Sequence, residues 1–532
     1  MRREWVVAIA ALALAACDAV REGGGRRRDP GALVVAEAAV VQSLDPLRVT
    51  DSESIEVGSQ IFEGLVTWTP GTTDVMPGLA TAWTVSPDGK RWRFTLRDRV
   101  TFHDGTAFDA NAVVFSFERL LDPKHPQYLS GEDAAYRRGL LRSITRLSAV
   151  DRLTVEIETA RPYAPLLGDL AMFPLVSPAA VARWGNAFQE HPVGTGPFVF
   201  EEWSRGERVV VRRFDAYWGA RPNVERIVFR TVVDARQRLV ELESGSVDLA
   251  TGILPDEQPF VELHPDLVLH ATPGNDVSYL ALNTQHAPFD DVRVRRAVNY
   301  AINKEPIVKL AYQGRAIAAD GPLPPTQWAY HQPRTRYPYD PAAAKELLAQ
   351  AAADGAFDPT KVYKLAALST PRPYLAQPER VARFLQAALA QVGIRTELEL
   401  LPYREHNARV SAGLHDLAIF GWVGDNGDPD NFLYVLFHSD NASPPAPQNI
   451  AFYRRAEVDV LLSEAQAASD EPTRARLYAR VLDAIADDAP WVPLAHSELV
   501  VAARAELDGV ILSPLGHPVY SLIKRRAPRS TR

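Results

Sequence analysis

The segment Gly421-Trp422-Val423-Gly424-Asp425-Asn426-Gly427-Asp428-Pro429-Asp430-Asn431-Phe432 sets three carboxylates among three glycines and a proline. Glycine opens backbone angles that other residues avoid and proline stiffens the chain, so this stretch reads as a tight loop. An acidic loop rich in Gly and Asn is one way to hold calcium, with Asp425, Asp428 and Asp430 as ligands, but the EF-hand spacing and its closing acidic residue are missing. The plainer alternative makes Asp425 a turn former that bonds its own backbone. A second stretch, Pro371-Arg372-Pro373-Tyr374, holds an arginine between two prolines. A guanidinium offers two parallel N–H groups to a carboxylate, yet Arg372 is one of 50 arginines and an ordinary surface position is the bland reading. Patterns for hydrolysis are missing: Gly58-Ser59 and Ser244-Gly245-Ser246 lack the flanks of a nucleophile elbow, and the 12 histidines show no His-Glu-x-x-His and no His-x-x-x-His spacing. The expectation is therefore that the chain is not an enzyme and holds no metal and no other cofactor.

The one cysteine, Cys17, excludes a disulfide within the chain. Met1-Arg2-Arg3 gives a basic start, and Trp5 to Ala16 is an uncharged apolar run of twelve residues. That run is shorter than the roughly 20 residues a membrane span needs, and it suits the core of a secretory signal. It ends in Leu14-Ala15-Ala16-Cys17, which resembles a bacterial lipobox. The expectation is a lipoprotein signal peptide over 1–16, lipidation of Cys17, and a Gly- and Arg-rich tether over 17–30. A multiply acylated cysteine is enough to hold a soluble protein at a membrane.

At 532 residues the chain exceeds one ordinary core, and its net charge of −8 argues against nucleic acid as a partner. The elements change character along it. Lys90 to Asp98 alternates, with Trp92, Phe94 and Leu96 on one face, and the pattern predicts a half-buried strand after the Pro87-Asp88-Gly89 turn. Leu153–Thr159, Arg208–Arg213 and Arg226–Val232 read as further strands. After Asp290 helices enter. Val294, Ala297, Val298, Ala301 and Ile302 share one helix face, capped by Asp290 or Asp291 and read as running to Gly314. Asp340-Pro341 opens another helix, and Pro378–Val392 and Pro472–Ala486 are two more. Lys364–Ala367 and Ile394–Leu401 read as strands, so the fold class is α/β. Lys524 to Arg532 form a basic tail expected to be disordered.

Taken in order, several landmarks resemble the solute-binding proteins of peptide ABC importers, the dipeptide- and oligopeptide-binding family. They are Phe62-Glu63-Gly64-Leu65, Pro77-Gly78-Leu79-Ala80, the run from Trp83 to Phe108 with Phe102-His103-Asp104-Gly105, Pro192 to Phe198, Asp215 to Gly219, and Val292 to Val308. The resemblance covers roughly Ala32 to Leu522. It implies a two-lobe periplasmic-binding-protein clamp, class II-like, that closes on its ligand by hinge bending. The first lobe would be discontinuous, from 31–60, 190–275 and 493–532, with an extra domain at 61–189 and a second lobe at 276–492. In the dipeptide-binding branch the first Asp of the acidic loop pairs with the ligand's α-ammonium, and the Arg of an Arg-Pro-Tyr grips its carboxylate. Those roles fall on Asp425 and Arg372, with Tyr374, Trp422 and Gly424 lining the site. The cargo implied is the dipeptide, handed to an ABC permease by a monomer in the periplasm, held at the membrane (the inner one, from Asp18) only through its lipid. Relatives with this clamp carry longer or cell-wall peptides, glutathione, haem or nickel chelates, which are the alternative cargoes.

Overall fold

The computed structural model describes residues 31–526; the expected signal peptide, the tether with Cys17, and residues 527–532 lie outside that range. The fold is mixed α/β in two lobes. Its frame is a sheet of 12 strands, and the strand Trp491–Arg504 runs through the middle of it. The early part of that strand, Trp491 to Ser497, pairs antiparallel with Asp276–Leu282 and Ala316–Ala318 of the second lobe. Its later part, from Glu498, pairs with Leu267–Pro273 and Leu249–Ala250 of the first. Beyond these, the first lobe continues through Ala32–Glu37, Arg226–Thr231, Arg208–Arg213 and Phe198–Ser204, and the second through Leu417–Val423, Val362–Leu368 and Arg395–Leu401.

The chain passes between the lobes at Gly274–Asp276 and again at Ser497–Glu498, and the two crossings are tied together. Gly274 N–H donates to Ser497 O at 2.8 Å, and Asp276 accepts from both the Ser497 amide, at 2.8 Å, and its hydroxyl. Burial pushes the Asp276 carboxyl up to about 7, against the pull of those two bonds.

Each part has its own apolar core. Helices Val292–Ala301, Pro341–Ala353 and Pro378–Gln391 cover one face of the second lobe's sheet with Val298, Leu348, Leu385 and their neighbours. The other face is covered by Asp430–Phe437, Ala456–Ala467 and Glu471–Asp488. An inserted region carries a separate four-stranded antiparallel sheet, Ala80–Val85, Arg91–Leu96, Thr154–Thr159 and Ile144–Asp151, over Phe94, Phe102, Phe117 and Phe173. The strand Arg91–Leu96 buries Trp92, Phe94 and Leu96 and exposes the arginines and threonine between them, as its alternation predicts.

The sequence landmarks converge on one junction between this region and the first lobe. Glu63 accepts hydrogen bonds from the Thr195 hydroxyl (2.9 Å), the Tyr217 hydroxyl (2.7 Å) and the Trp218 indole (2.9 Å). The Arg97 guanidinium lies 4.1 Å from the Trp218 ring centroid and donates to Gly78 O at 2.7 Å. His103 N–H donates to Gly194 O, and Gly196 N–H to Ile61 O, both at 2.9 Å. A Cβ on Gly194 would sit 2.1 Å from Ile61 O, so only glycine allows the two segments to pass this closely.

Two local expectations fail. The helix read as continuous to Gly314 is two helices, Val292–Ala301 and Glu305–Tyr312. Pro306 has no N–H to continue the ladder and its ring clashes with the carbonyl a turn earlier, so the chain breaks and restarts with the proline in its first turn. The tail is not loose where it begins. Lys524–Arg525 pairs with Leu507–Asp508, and the Arg525 guanidinium donates to Ala32 O at 2.9 Å.

Candidate ligand-binding site

Val362–Leu368 lies parallel to both Arg395–Leu401 and Leu417–Val423, so the three strands end along one edge of the second lobe. In open α/β sheets such an edge is where loops gather around a ligand. The segment holding Arg372 follows the first of these strands and the loop holding Asp425 follows the last; the two strands are immediate neighbours.

The Asp425 loop is fixed from both sides. Gly424 N–H donates to Asn275 O at 2.7 Å and Gly424 O accepts from the Asn275 amide at 2.9 Å. A Cβ on Gly424 would lie 2.3 Å from the Phe432 ring and 2.4 Å from Asn275 Nδ2, so the glycine ties the loop to the hinge, one residue from Asp276. Gly427, at φ +71°, passes the inserted region so closely that a Cβ would lie 2.7 Å from Thr73 O. Asn431 Oδ1 accepts from the Trp422 indole at 2.7 Å and from Asp425 N–H at 3.2 Å. Trp422 is half-buried and packs on the core, so its ring is held by the loop that it was expected to line.

Asp425 Oδ2 accepts from the Tyr136 hydroxyl at 2.5 Å, a contact from the inserted region. Burial raises the Asp425 carboxyl; the Tyr136 bond and the nearby Arg137 charge oppose the rise. Among the described residues no cation lies within ion-pairing distance of Asp425.

Arg372 has the complementary deficit. Its backbone closes a two-way pair with Leu375 (3.1 and 2.9 Å), and its guanidinium stacks 4.1 Å from the Tyr403 ring centroid. Among the described residues no carboxylate comes within 4 Å of it, and its buried Nε has no hydrogen-bond partner. The Tyr374 hydroxyl is also buried without a partner. Burial raises that phenol strongly, and the Arg372 charge beside it opposes the rise. The Tyr374 ring packs against the backbone of Gly421, where a Cβ would be 2.2 Å away from it. Arg372 and Tyr374 thus place donors with no carboxylate partner in the segment after Val362–Leu368, beside the loop whose Asp425 lacks an ionic partner among the described residues. The two charges do not pair with each other.

The other acids of the loop are committed elsewhere. Asp428 takes both arms of Arg474, at 2.6 and 2.8 Å. Asp430 accepts from Gln466 at 2.9 Å, and burial pushes its carboxyl up to about 7. Asn426 donates to Asp169 Oδ1 at 2.8 Å, across to the inserted region, and Tyr163 donates to Asp169 Oδ2 at 3.0 Å. Burial pushes Asp169 up to about 8, with the charges of Asp430 and Asp428 adding to the rise. Sequence reasoning missed Tyr136, Arg137 and Asp169, for which no local motif exists.

The sequence profile of the bacterial extracellular solute-binding proteins, family 5 (middle), matches residues 74–444. The chain is 33% identical over 543 residues to heme-binding protein A of Haemophilus influenzae, covering 97% of each. It is 34% identical over 503 residues to the dipeptide-binding protein of Escherichia coli, covering 91% of this chain and 92% of that one. Among solved structures, the ABC transporter-associated periplasmic binding protein DppA of Helicobacter pylori, in complex with the peptide STSA, is similar at a TM-score of 0.78 and 34% identity, over 93% of this chain and 98% of that one. With its two-lobe sheet and the match across most of its length, the chain belongs to the bacterial extracellular solute-binding proteins, family 5, the binding components of ABC importers.

Proposed function

We propose that the protein captures short peptides, dipeptides above all, between its closing lobes and delivers them to an ABC permease from the outer face of the cytoplasmic membrane, anchored there by lipid on Cys17. Asp425 takes the peptide's α-ammonium and Arg372 its terminal carboxylate. What supports this reading is one observation: two buried or half-buried side chains of opposite charge, on neighbouring loops, each lacking an ionic partner among the described residues. A zwitterionic dipeptide has its charges only a few ångströms apart, and a closed clamp that strips them of water must pair them. The same two anchors act as a ruler, since a longer chain would carry its carboxylate past Arg372 and leave charge unpaired. Tyr374 would add a donor at the carboxylate, while Trp422 and Gly424 shape the ammonium end. Binding to termini that all dipeptides share leaves side-chain selectivity broad, with waters filling the pockets. The protein binds as a monomer and returns its cargo chemically unchanged.

Calorimetry with dipeptides, tri- and tetrapeptides and haem tests this reading. Dipeptides should bind most tightly, and Arg372→Ala and Asp425→Ala should each abolish tight binding while the folded spectrum is retained. Wild-type affinity in either variant would sink the two-anchor account, and tighter binding of haem would reassign the cargo.

A further inference from the structure

The ammonium end of the site contains a charge that a simple dipeptide does not use. Arg137 follows Tyr136, the residue whose hydroxyl donates to Asp425. It is only 4% exposed, yet among the described residues no carboxylate lies within ion-pairing distance of it. One arm of its guanidinium donates to Met172 O, at the end of the helix Leu166–Ala171, and its Nε has no hydrogen-bond partner. The guanidinium carbon sits 5.8 Å from the centroid of the Tyr136 ring. Asp425 and Arg137 feel each other's charge, each favouring the other's ionised form, while burial works against both. A buried guanidinium without a counter-ion is costly, and that cost is relieved when a bound anion completes it.

We propose that Arg137 is a specificity-determining residue that receives a carboxylate carried by the first residue of the ligand, beside the ammonium that Asp425 takes. The inference rests on the assignment of Asp425 to the ammonium. The favoured cargo is then a peptide with an ammonium and a carboxylate on its leading residue and a second carboxylate at its far end for Arg372. Two kinds of molecule share that chemistry. One is a γ-linked glutamyl peptide, whose α-carboxylate stays free; the other is an ordinary peptide that begins with Glu or Asp. Arg137 is the right residue type for either, because its fork keeps one arm on Met172 O and offers the rest to the ligand.

The test compares four ligands of nearly equal size, Ala-Ala, Gln-Ala, α-Glu-Ala and γ-Glu-Ala, by calorimetry on the full-length protein. At least one of the two glutamyl peptides should bind about tenfold or more tighter than Gln-Ala, and which one does so identifies the source of the carboxylate. In Arg137→Gln, which keeps an amide donor for Met172 O, the ratio should fall towards one, whatever happens to absolute affinity. Arg137→Lys should retain part of it, and serves if the Gln variant does not fold. A residue that only capped the helix would lower the melting temperature and leave the ratio unchanged, which would overturn the proposal. Equal binding of all four peptides by the wild type would overturn it as well, while leaving the two-anchor reading intact. Failure of every peptide to bind would overturn that reading, and this one with it.

Discussion

Two seams join the second lobe to the rest of the molecule. On the side of the inserted region, Tyr136 donates to Asp425 (2.5 Å), Asn426 to Asp169 (2.8 Å), Ala164 N–H to Gln466 O (2.7 Å) and Arg161 to Gln466 Oε1 (2.8 Å). Beside the crossing strand, Arg315 pairs with Glu262 and, at 3.2 Å, with Glu498, while Asp256 accepts from Gln313 at 3.0 Å and lies 3.9 Å from Arg380. The ionic side chains of the second seam are between 29% and 54% exposed. Those pairs keep much of their water, so each contributes about 0–1 kcal/mol and weakens with salt. In the first seam the carboxylates have lost their water, and burial drives Asp169 and Asp425 upward. There a missing partner is expensive. On the proposed reading the ligand acts on the seam where an unpaired charge is intolerable, while the exposed seam only guides the lobes together.

The contrast is broken most directly at the anchors. If the two anchors hold the ligand as proposed, Arg372→Ala or Asp425→Ala should leave a ligand charge buried and unpaired, at a cost of about 2–5 kcal/mol, or roughly 30-fold to a few thousand-fold in dipeptide affinity by calorimetry.

The next largest effect is on pH dependence. Burial pushes Asp169 up to about 8 with Asn426 seated against it, and an opening of the cleft that returned it to water should bring it back towards the ordinary carboxylate range. A raised acid favours the state that raises it while protonated. Its contribution to closure is complete below the ordinary value near 4 and is lost as pH rises through about 8. Peptide affinity should therefore fall between pH 6 and 8 relative to Asp169→Asn, by up to about tenfold per unit. Parallel profiles for the two proteins would show that Asp169 does not titrate with closure.

Asn426→Ala should weaken binding less, by about 1–3 kcal/mol, because it takes one donor from a buried acid that keeps its Tyr163 bond. Smallest of all, Arg315→Ala or half-molar salt should shift affinity by no more than about fivefold. A larger loss there, read in the same titrations, would erase the distinction between the seams.

The fold was legible because its landmarks are local and numerous, and because alternation in segments such as Arg91–Leu96 reports directly which face is buried. The helix break at Ile302–Lys304 was hidden, since an apolar stripe continues across it and only Pro306 marks the interruption. The ordered start of the tail was hidden by its charge: Lys524 and Arg525 look like solvated residues until the strand at Leu507–Asp508 is placed beside them. At the candidate site, motifs pointed to Asp425 and Arg372, which sit in distinctive loops and whose roles are proposals. Nothing pointed to Tyr136 or Asp169. They reach the loop from 289 and 257 positions away, and neighbouring residues carry no trace of so distant a contact.

The closing of the first lobe's sheet has a consequence in time. The strand Ala32–Glu37 has neighbours at 226–231 and at Leu249–Ala250, and the second of these pairs with Ala502–Ala503. Arg525 then fastens Ala32, 493 positions upstream. A ribosome adding roughly 5–20 residues per second leaves that first strand waiting about 25 to 100 seconds for its last partners. During that interval the lobe has an unfinished edge and no complete core. The first lobe therefore stays unfinished until almost all of the chain has been made, and an unfinished lobe can still be threaded through a narrow channel.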